Sequence, residues 1–352
     1  MPTEPSPVLG RYLAQLPYVL GHQPDDDQVV TSLYGPRGVA IVHAAVHWDP
    51  DAGPGQAAGH FAQVLKDEGP IDHVAVTGYG PDGGTWAFDL ATELCEVFDA
   101  RSTVLHVQDG SWRVLDNLTE TWGPRTTLPT PPPDLVLRGA PTPAASRNDL
   151  VASVAPLPEP LFTELDQARA TYLTTLSPTT RADLARTALD HLASGRVDDV
   201  NHLQSLAHLV SQSTIVRDTV IAHAIHGRQH RQRVDALIRT FRAAPPSQRP
   251  ALATTAAAVA YLTGWPPPQV EGLLRHTNPA HRLANLVSIA HHHGARPEPI
   301  RRAILKDADN RLQEADAAWT ANQTRTGTTR PTEAWTSTRR PPEPPLSDAM
   351  GI

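Results

Sequence analysis

Gly78-Tyr79-Gly80-Pro81-Asp82-Gly83 has the spacing G-x-G-x-x-G between a strand-like run and a helix-like run. In that context backbone N–H groups can receive the pyrophosphate of a dinucleotide. Pro81 removes one N–H where the anion needs donors. Asp109, the acid near the end of the next strand, is better used in an Asp109-Gly110 hairpin turn than on a ribose. The preferred reading is a tight strand-to-helix turn. Gly78, Gly80 and Gly83 remain the cofactor-binding candidates of the alternative, in which the loop holds a phosphate compound.

Asp25, Asp26 and Asp27 form a carboxylate run that could hold a divalent cation. Adjacent residues of an extended segment point to opposite faces, so three in a row should not converge. His223, His226 and His230 have helical spacing, but Gly227 should end the helix between them. His291, His292 and His293 fall in a last helical turn before Gly294, where imidazolium suits the helix dipole but the three rings diverge. No G-x-S-x-G elbow supports Ser/His/Asp chemistry, and Cys95 lies on an apolar helical stripe where thiols are inert. These patterns predict no catalytic residue, no metal and no resident cofactor.

One charged feature points to a partner. In "GRQHRQRVDALIRTFR", Val234, Leu237, Ile238 and Phe241 form the buried stripe, and Arg228, Arg231, Arg239 and Arg242 fall on a neighbouring face. Guanidinium groups so grouped suit carboxylates or phosphates. Residues 1–150 carry 19 acidic and 8 basic side chains, net −11; residues 151–352 carry 18 and 22, net +4. The halves could therefore dock on each other, or the arginine face could meet an acidic protein. The overall net charge of −7 argues against nucleic acid as the partner.

The elements that must carry these groups fall into two classes. "VVTSLYG" and "GVAIVHAAVHW" flank a Gly35-Pro36-Arg37-Gly38 turn and read as a hairpin. "AAGHFAQVLKDEG" is amphipathic through Phe61, Val64 and Leu65. "IDHVAVTGYG" reads as a central strand, buried on both faces. "TWAFDLATELCEVFDA" is a second helix, and "STVLHVQDGSWRVLDN" a closing hairpin. The expected α/β domain, residues 16–121, is a mixed β-sheet in the order β-β-α-β-α-β-β, preceded by an N-terminal arm over 1–15. Residues 122–146 read as a proline-rich linker or strap, with "DLVL" pairing at an edge.

From residue 147 to 320 the pattern is all-α: consecutive antiparallel helices separated by Ser177-Pro178, Gly195, Gly227 and Gly264. Residues 250–294 are loosely similar to tetratricopeptide pairs. The composition of 321–352 predicts disorder. A single cysteine fits the reducing cytoplasm, the N-terminus lacks a signal peptide, and no apolar run of 18 residues crosses a membrane.

"LPYVLGHQPDDDQVV", "HVAVTGYGPD" and "VLHVQDGSWRV" together resemble the actinobacterial domain-of-unknown-function family 4192. Its members begin with Pro-x-x-Leu-Gly-Phe-x-Pro-x-Asp-Ser-Leu-Val, matched here by Pro17, Leu20, Gly21, Pro24, Asp26 and Val29. His22 and Asp27 depart from it. The resemblance continues through "RDTVIAHAI" to about residue 305. A Cys-Cys-Pro-Pro-Glu-Gly segment common in the family is replaced here by "RTTLPTPPPD". The resemblance implies no activity, and it assigns the aspartates to a fold signature. The expected function is a non-catalytic interaction or regulatory protein whose helical domain is the binding surface. The alternative is a nucleotide- or phosphate-binding enzyme or sensor built on the 78–83 loop.

Overall fold

The computed structural model describes residues 6–49, 51, 53–65, 69–116, 118–130, 142–195 and 199–326. Its first half runs α1 (Pro7–Leu20), β1 (Gln28–Tyr34), β2 (Ala40–His47), α2 (Pro54–Val64), β3 (His73–Tyr79), α3 (Gly83–Phe98), β4 (Arg101–Gln108) and β5 (Ser111–Asp116), followed by the two-residue strands β6 (Thr121–Trp122) and β7 (Thr126–Thr127). The sheet order is β2-β1-β3-β4-β5-β6, with β7 also pairing with β5. Only the β3–β4 pairing is parallel, so the sheet is mixed.

The central strands read as apolar runs because both of their faces are covered. Val29, Leu33, Val74, Val76 and Val104 pack under α2 and α3. Val30, Tyr79, Leu105 and Val107 face the other way, onto Leu13, Leu16 and Leu20 of α1. The β1–β2 hairpin turns at Gly38 (φ 66°), and the Asp109-Gly110 turn has φ 52° and 67°, the paired positive values of a type I′ hairpin.

Helix α1 corrects the N-terminal arm. Ser6 Oγ caps it by accepting from Val8 N, and Pro7 opens it. Pro17 lies in its last turn, where it removes one hydrogen bond. Burial of Leu13, Leu16 and Leu20 offsets that loss. The chain leaves α1 through Gly21 (φ 82°), and His22 makes a parallel bridge to Ala144. The far end of the proline-rich segment is therefore anchored beside α1. "DLVL" lies outside the described residues.

The second half is helical: α4 (Arg147–Ala152), α5 (Gln167–Thr175), α6 (Pro178–Ala193), α7 (Val200–Gln212), α8 (Thr214–Ile225), α9 (His230–Ala243), α10 (Arg249–Leu262), α11 (Pro267–Leu274), α12 (Arg282–His292) and α13 (Pro297–Thr326). Helix α13 reaches past the expected limit at 320, and residues 327–352 lie outside the described ones. The caps are those the sequence signals: Ser177 Oγ accepts from Thr180 N, Asp199 caps α7, and Gly195, Gly227 and Gly264 are left-handed. Helix α10 is buried on all sides from Leu252 to Leu262 and forms the axis of this half. Among the described residues no helix is long and apolar enough to cross a membrane.

Candidate functional site

The polar groups of the helical half gather where four chain segments meet. The stretch leading into α5, the end of α7, the α9–α10 turn and the α11–α12 turn enclose a cavity of 750 Å³. Helix α7 turns Leu203, Leu206, Leu209 and Val210 into the core and is left with His208 and Ser211, three residues apart, on the cavity side. Gln248 enters from the turn before α10. His281 enters after Asn278-Pro279, whose turn is closed by Asn278 Oδ1 accepting from Ala280 N.

Each of these four residues carries a buried polar atom with no partner among the described protein atoms: His208 Nε2, Ser211 Oγ, Gln248 Oε1 and His281 Nδ1. Gln248 and His208 are only 6% and 9% exposed, so these groups are committed to the interior. A buried donor or acceptor left unpaired costs about 1–3 kcal/mol. All four belong to residues that line the cavity, but the atoms themselves lie beneath its accessible surface, so a polar guest supplies the missing bonds only once these side chains turn toward it.

The charge state of the lining follows from its neighbours. Arg217, 8% exposed on α8, donates from Nη1 to His281 Nε2 at 2.6 Å. A guanidinium only donates, so His281 accepts at Nε2, is neutral and holds its proton on Nδ1. Burial first, and then the Arg217 charge, depress the His281 pKa; Asp218 opposes them. Arg217 is itself fixed by two hydrogen bonds to Asp218 Oδ1, and Asp218 Oδ2 accepts from Arg311 of α13 at 2.9 Å. Burial likewise depresses His208, against the pull of Glu164. Glu164 sits at the exposed rim, where Ser247 Oγ donates to it. Turned toward the cavity, these side chains would offer a donor at His281, an acceptor at Gln248 and two groups able to do either. Ser211 Oγ has no hydrogen-bond partner among the described residues.

The 78–83 loop is closed by its own backbone. Gly80 N donates to Val107 O and Gly83 N to Gly80 O, and Pro81 has no N–H. A Cβ on Gly80 would lie 2.0 Å from Asp26 O, and one on Gly78 only 1.7 Å from Gly83 O. The glycines are there because three backbone segments touch. Behind the loop, Arg113 Nε and Nη2 donate to His106 Nδ1, which fixes its proton on Nε2, and Nε2 donates to Gly80 O at 2.7 Å. Burial and the charges of Arg113 and Arg125 depress His106, outweighing that hydrogen bond.

The aspartate run behaves differently from the alternation argument in one respect. Asp25 and Asp27, two apart, do come together, and His47 joins them from β2; one donor atom of each lies within 4.8 Å of the others. One oxygen of each carboxylate and both nitrogens of His47 are engaged within the group. Gln28 Oε1 accepts from Asp25 N, so its Nε2 donates to Asp25 Oδ2 (3.3 Å) and His47 Nε2 (3.2 Å). His47 then donates from Nδ1 to Asp27 at 3.1 Å. Asp26 is set apart, with its carbonyl against Gly80.

The remaining sequence candidates are dispersed. His223 donates to Asp190 at 3.0 Å; His226 and His230 lie beyond the break near Gly227, where His230 contacts Gly227 O. Arg233, which the arginine-stripe reading passed over, binds Asp190 and the carbonyls of His223 and His226, stapling α6, α8 and α9. Arg239 and Arg242 donate to the carbonyls of Leu192 and Ala155, whereas Arg228 and Arg231 are exposed. Only half of the expected arginine face is therefore free of a carbonyl within the helical half. Cys95 is partly buried on α3. The cavity residues escaped the sequence reading because isolated polar residues in amphipathic helices carry no pattern. The only signal was "RDTVIAHAI", which contains Arg217 and Asp218 behind His281.

A protein-family model described as a domain of unknown function, DUF4192, matches residues 10–298, from within α1 into the first turn of α13. No curated protein and no solved structure matches the chain.

Proposed function

Since the chain belongs to the domain-of-unknown-function family DUF4192, a description that carries no activity, we propose its function from the cavity: the helical half is a non-catalytic binding module for a small, uncharged polar molecule. The observation that carries this is the set of four orphaned polar atoms around 750 Å³. That volume lies within the range of small-molecule sites, about 300–1,000 Å³. An ion buried there would need a counter-charge, and the neutral histidines supply none. A guest presenting a donor and acceptors side by side, as a carboxamide or a nucleobase edge does, matches Gln248 Oε1 on one side and the His281 Nδ1–H on the other.

The reading treats the molecule as a regulatory protein, with Cys95 as its only thiol supporting a reducing compartment. The small-residue helix α10, Gly264 and α11 support the comparison with a tetratricopeptide pair. Asp218, which holds both Arg217 and Arg311, links the cavity to α13, so a guest at His281 has a route to the C-terminal helix.

The test exploits the cost of orphaned groups. Apolar replacements at a binding site relieve that cost, so Ser211→Ala and Gln248→Met are expected to unfold at the same or higher temperature than the parent. A thermal-shift panel of nucleosides, free nucleobases and amino-acid amides should raise the parent's midpoint for at least one class, and the double variant should lose that rise. Loss of more than about 1 kcal/mol in both single variants would mean that these atoms are structurally satisfied and would reject the reading.

A further inference from the structure

We infer that the corner between α6 and α7 is a binding site for a borderline divalent metal ion of the Zn²⁺ class, held by His191, Asp199 and His202. One donor atom of each lies within 4.8 Å of the others. Asp199 Oδ2 is 2.8 Å from His202 Nδ1 and 3.6 Å from His191 Nε2. Ligand atoms around a tetrahedral ion with bonds of about 2.0 Å stand about 3.3 Å apart, so the two distances from Asp199 Oδ2 lie within about 0.5 Å of coordination values, and what remains is the orientation of the rings. Two imidazoles and a carboxylate are the donor set of open Zn²⁺ sites, with water completing the shell.

Three features separate this corner from the Asp25/Asp27/His47 group. First, among the described residues no other protein group occupies the gap between the ligands: His202 Nδ1 and Asp199 Oδ2 stand 2.8 Å apart, a contact that either a proton or a metal ion must bridge. His191 Nε2 is too far from the carboxylate for a hydrogen bond. Second, the carboxylate is held by its outer atom. Asp199 caps α7, with Oδ1 accepting from the N–H groups of Asn201 and His202, which leaves Oδ2 facing the two rings. Such support is what orients metal-binding carboxylates. Third, Asp190, the neighbour of His191 in sequence, is engaged by His223 and Arg233, so it does not compete.

The two rings are stacked, with centroids 3.9 Å apart and planes within 8°. An ion on the lone pair of one nitrogen lies in that ring's plane, so capture requires one ring to turn. The side chains are 23% and 31% exposed and have room to do so. Metal uptake and ring rotation are therefore one event. The ion would join the C-terminal end of α6 to the N-terminal end of α7 through residues that do not line the cavity.

The experiment is calorimetric titration of the chelator-treated full chain with Zn²⁺ alone at pH 7.5, with unfolding midpoints measured alongside. The parent is expected to take up one ion at a saturable site and to unfold at higher temperature with it. His191→Ala/His202→Ala should weaken that site by at least about tenfold. Asp199→Asn, which keeps a competent helix cap while removing the charged ligand, should weaken it similarly and fold normally. The exposed pair His292→Ala/His293→Ala should bind as the parent does. Uptake unchanged in Asp199→Asn and in the double histidine variant, or no uptake by the parent, would overturn the proposal.

Discussion

Gly78→Ala is expected to destabilise the α/β half by on the order of 4 kcal/mol, enough to leave much of the protein unfolded. The methyl group would sit 1.7 Å from Gly83 O and 2.3 Å from its carbonyl carbon. These are backbone atoms, so no side chain can swing away to make room. Neither partner can retreat. Gly78 lies on β3, pinned between Val29 of β1 and His106 of β4, and Gly83 begins α3, whose Ala87, Leu90, Ala91 and Leu94 are buried against the sheet. Ordinary core overpacking costs about 1–3 kcal/mol because side chains can adjust; here they cannot. The control is Gly59→Ala in α2, where a Cβ meets nothing within 4 Å and alanine favours the helix. Urea denaturation of the two variants decides the matter. A Gly78→Ala protein within about 1 kcal/mol of the parent would refute the close-packed-turn account and reopen the loop as a ligand cradle.

Acidification from pH 7.5 to 5.5 should lower the unfolding temperature steeply. Burial depresses the pKa of His43, His73, His106, His208, His223, His276, His281 and His291, and in none of them do the opposing influences win. A histidine whose folded pKa lies below its unfolded one, about 6.5, binds its proton more readily in the unfolded chain. Its contribution to stability is therefore complete above pH 6.5 and is lost as the pH falls through that value toward the folded pKa. Each proton taken up only on unfolding sets a limiting slope of about 1.4 kcal/mol per pH unit. His106 and His208, the most buried of the eight, should come nearest to it. Asp190, Asp199 and Glu271 have pKa values below the ordinary carboxylate range, held there by neighbouring His or Arg groups against the opposite pull of burial. They lose their contributions only at lower pH, and Asp235, whose pKa burial raises, acts with the opposite sign, so the fall in this window comes from the histidines. Melting curves at fixed ionic strength with chelator present measure the slope, and His208→Gln should reduce it. A midpoint that is flat or rises on acidification would contradict the assignment of these rings as neutral.

Much of the architecture was legible because the relevant signals are local. The β1–β2 turn, the Asp109-Gly110 hairpin and the Ser177, Gly195, Gly227 and Gly264 boundaries each depend on the conformational preferences of one or two residues, which sequence displays directly. The apolar run of β3 likewise disclosed a strand covered on both faces. Helix α1 was hidden because Pro17 reports its local cost, whereas the compensating burial of Leu13, Leu16 and Leu20 exists only once the sheet is present. The glycine-rich loop shows the limit of a motif. Its spacing records that backbones come close, but only the packing of Asp26 and Gly83 against it reveals that the neighbour is the protein itself.

The cavity and the α6–α7 corner belong wholly to the tertiary structure. The cavity draws on residues from Glu164 to His281, whereas those of the corner are near in sequence but meet only through the packing of two helices, and an unpaired atom such as Gln248 Oε1 is defined by what fails to reach it. The arginines make the same point in reverse. Helical spacing assigns Arg239 and Arg242 to one face, but the carbonyls of Leu192 and Ala155 that receive them are brought near only by the packing of other segments. Sequence determined which elements form and where they end, because those choices are settled within a few residues. Which polar groups are satisfied, and which are left to bind something else, was decided by helix packing, because a hydrogen bond depends on the separation of its atoms in space.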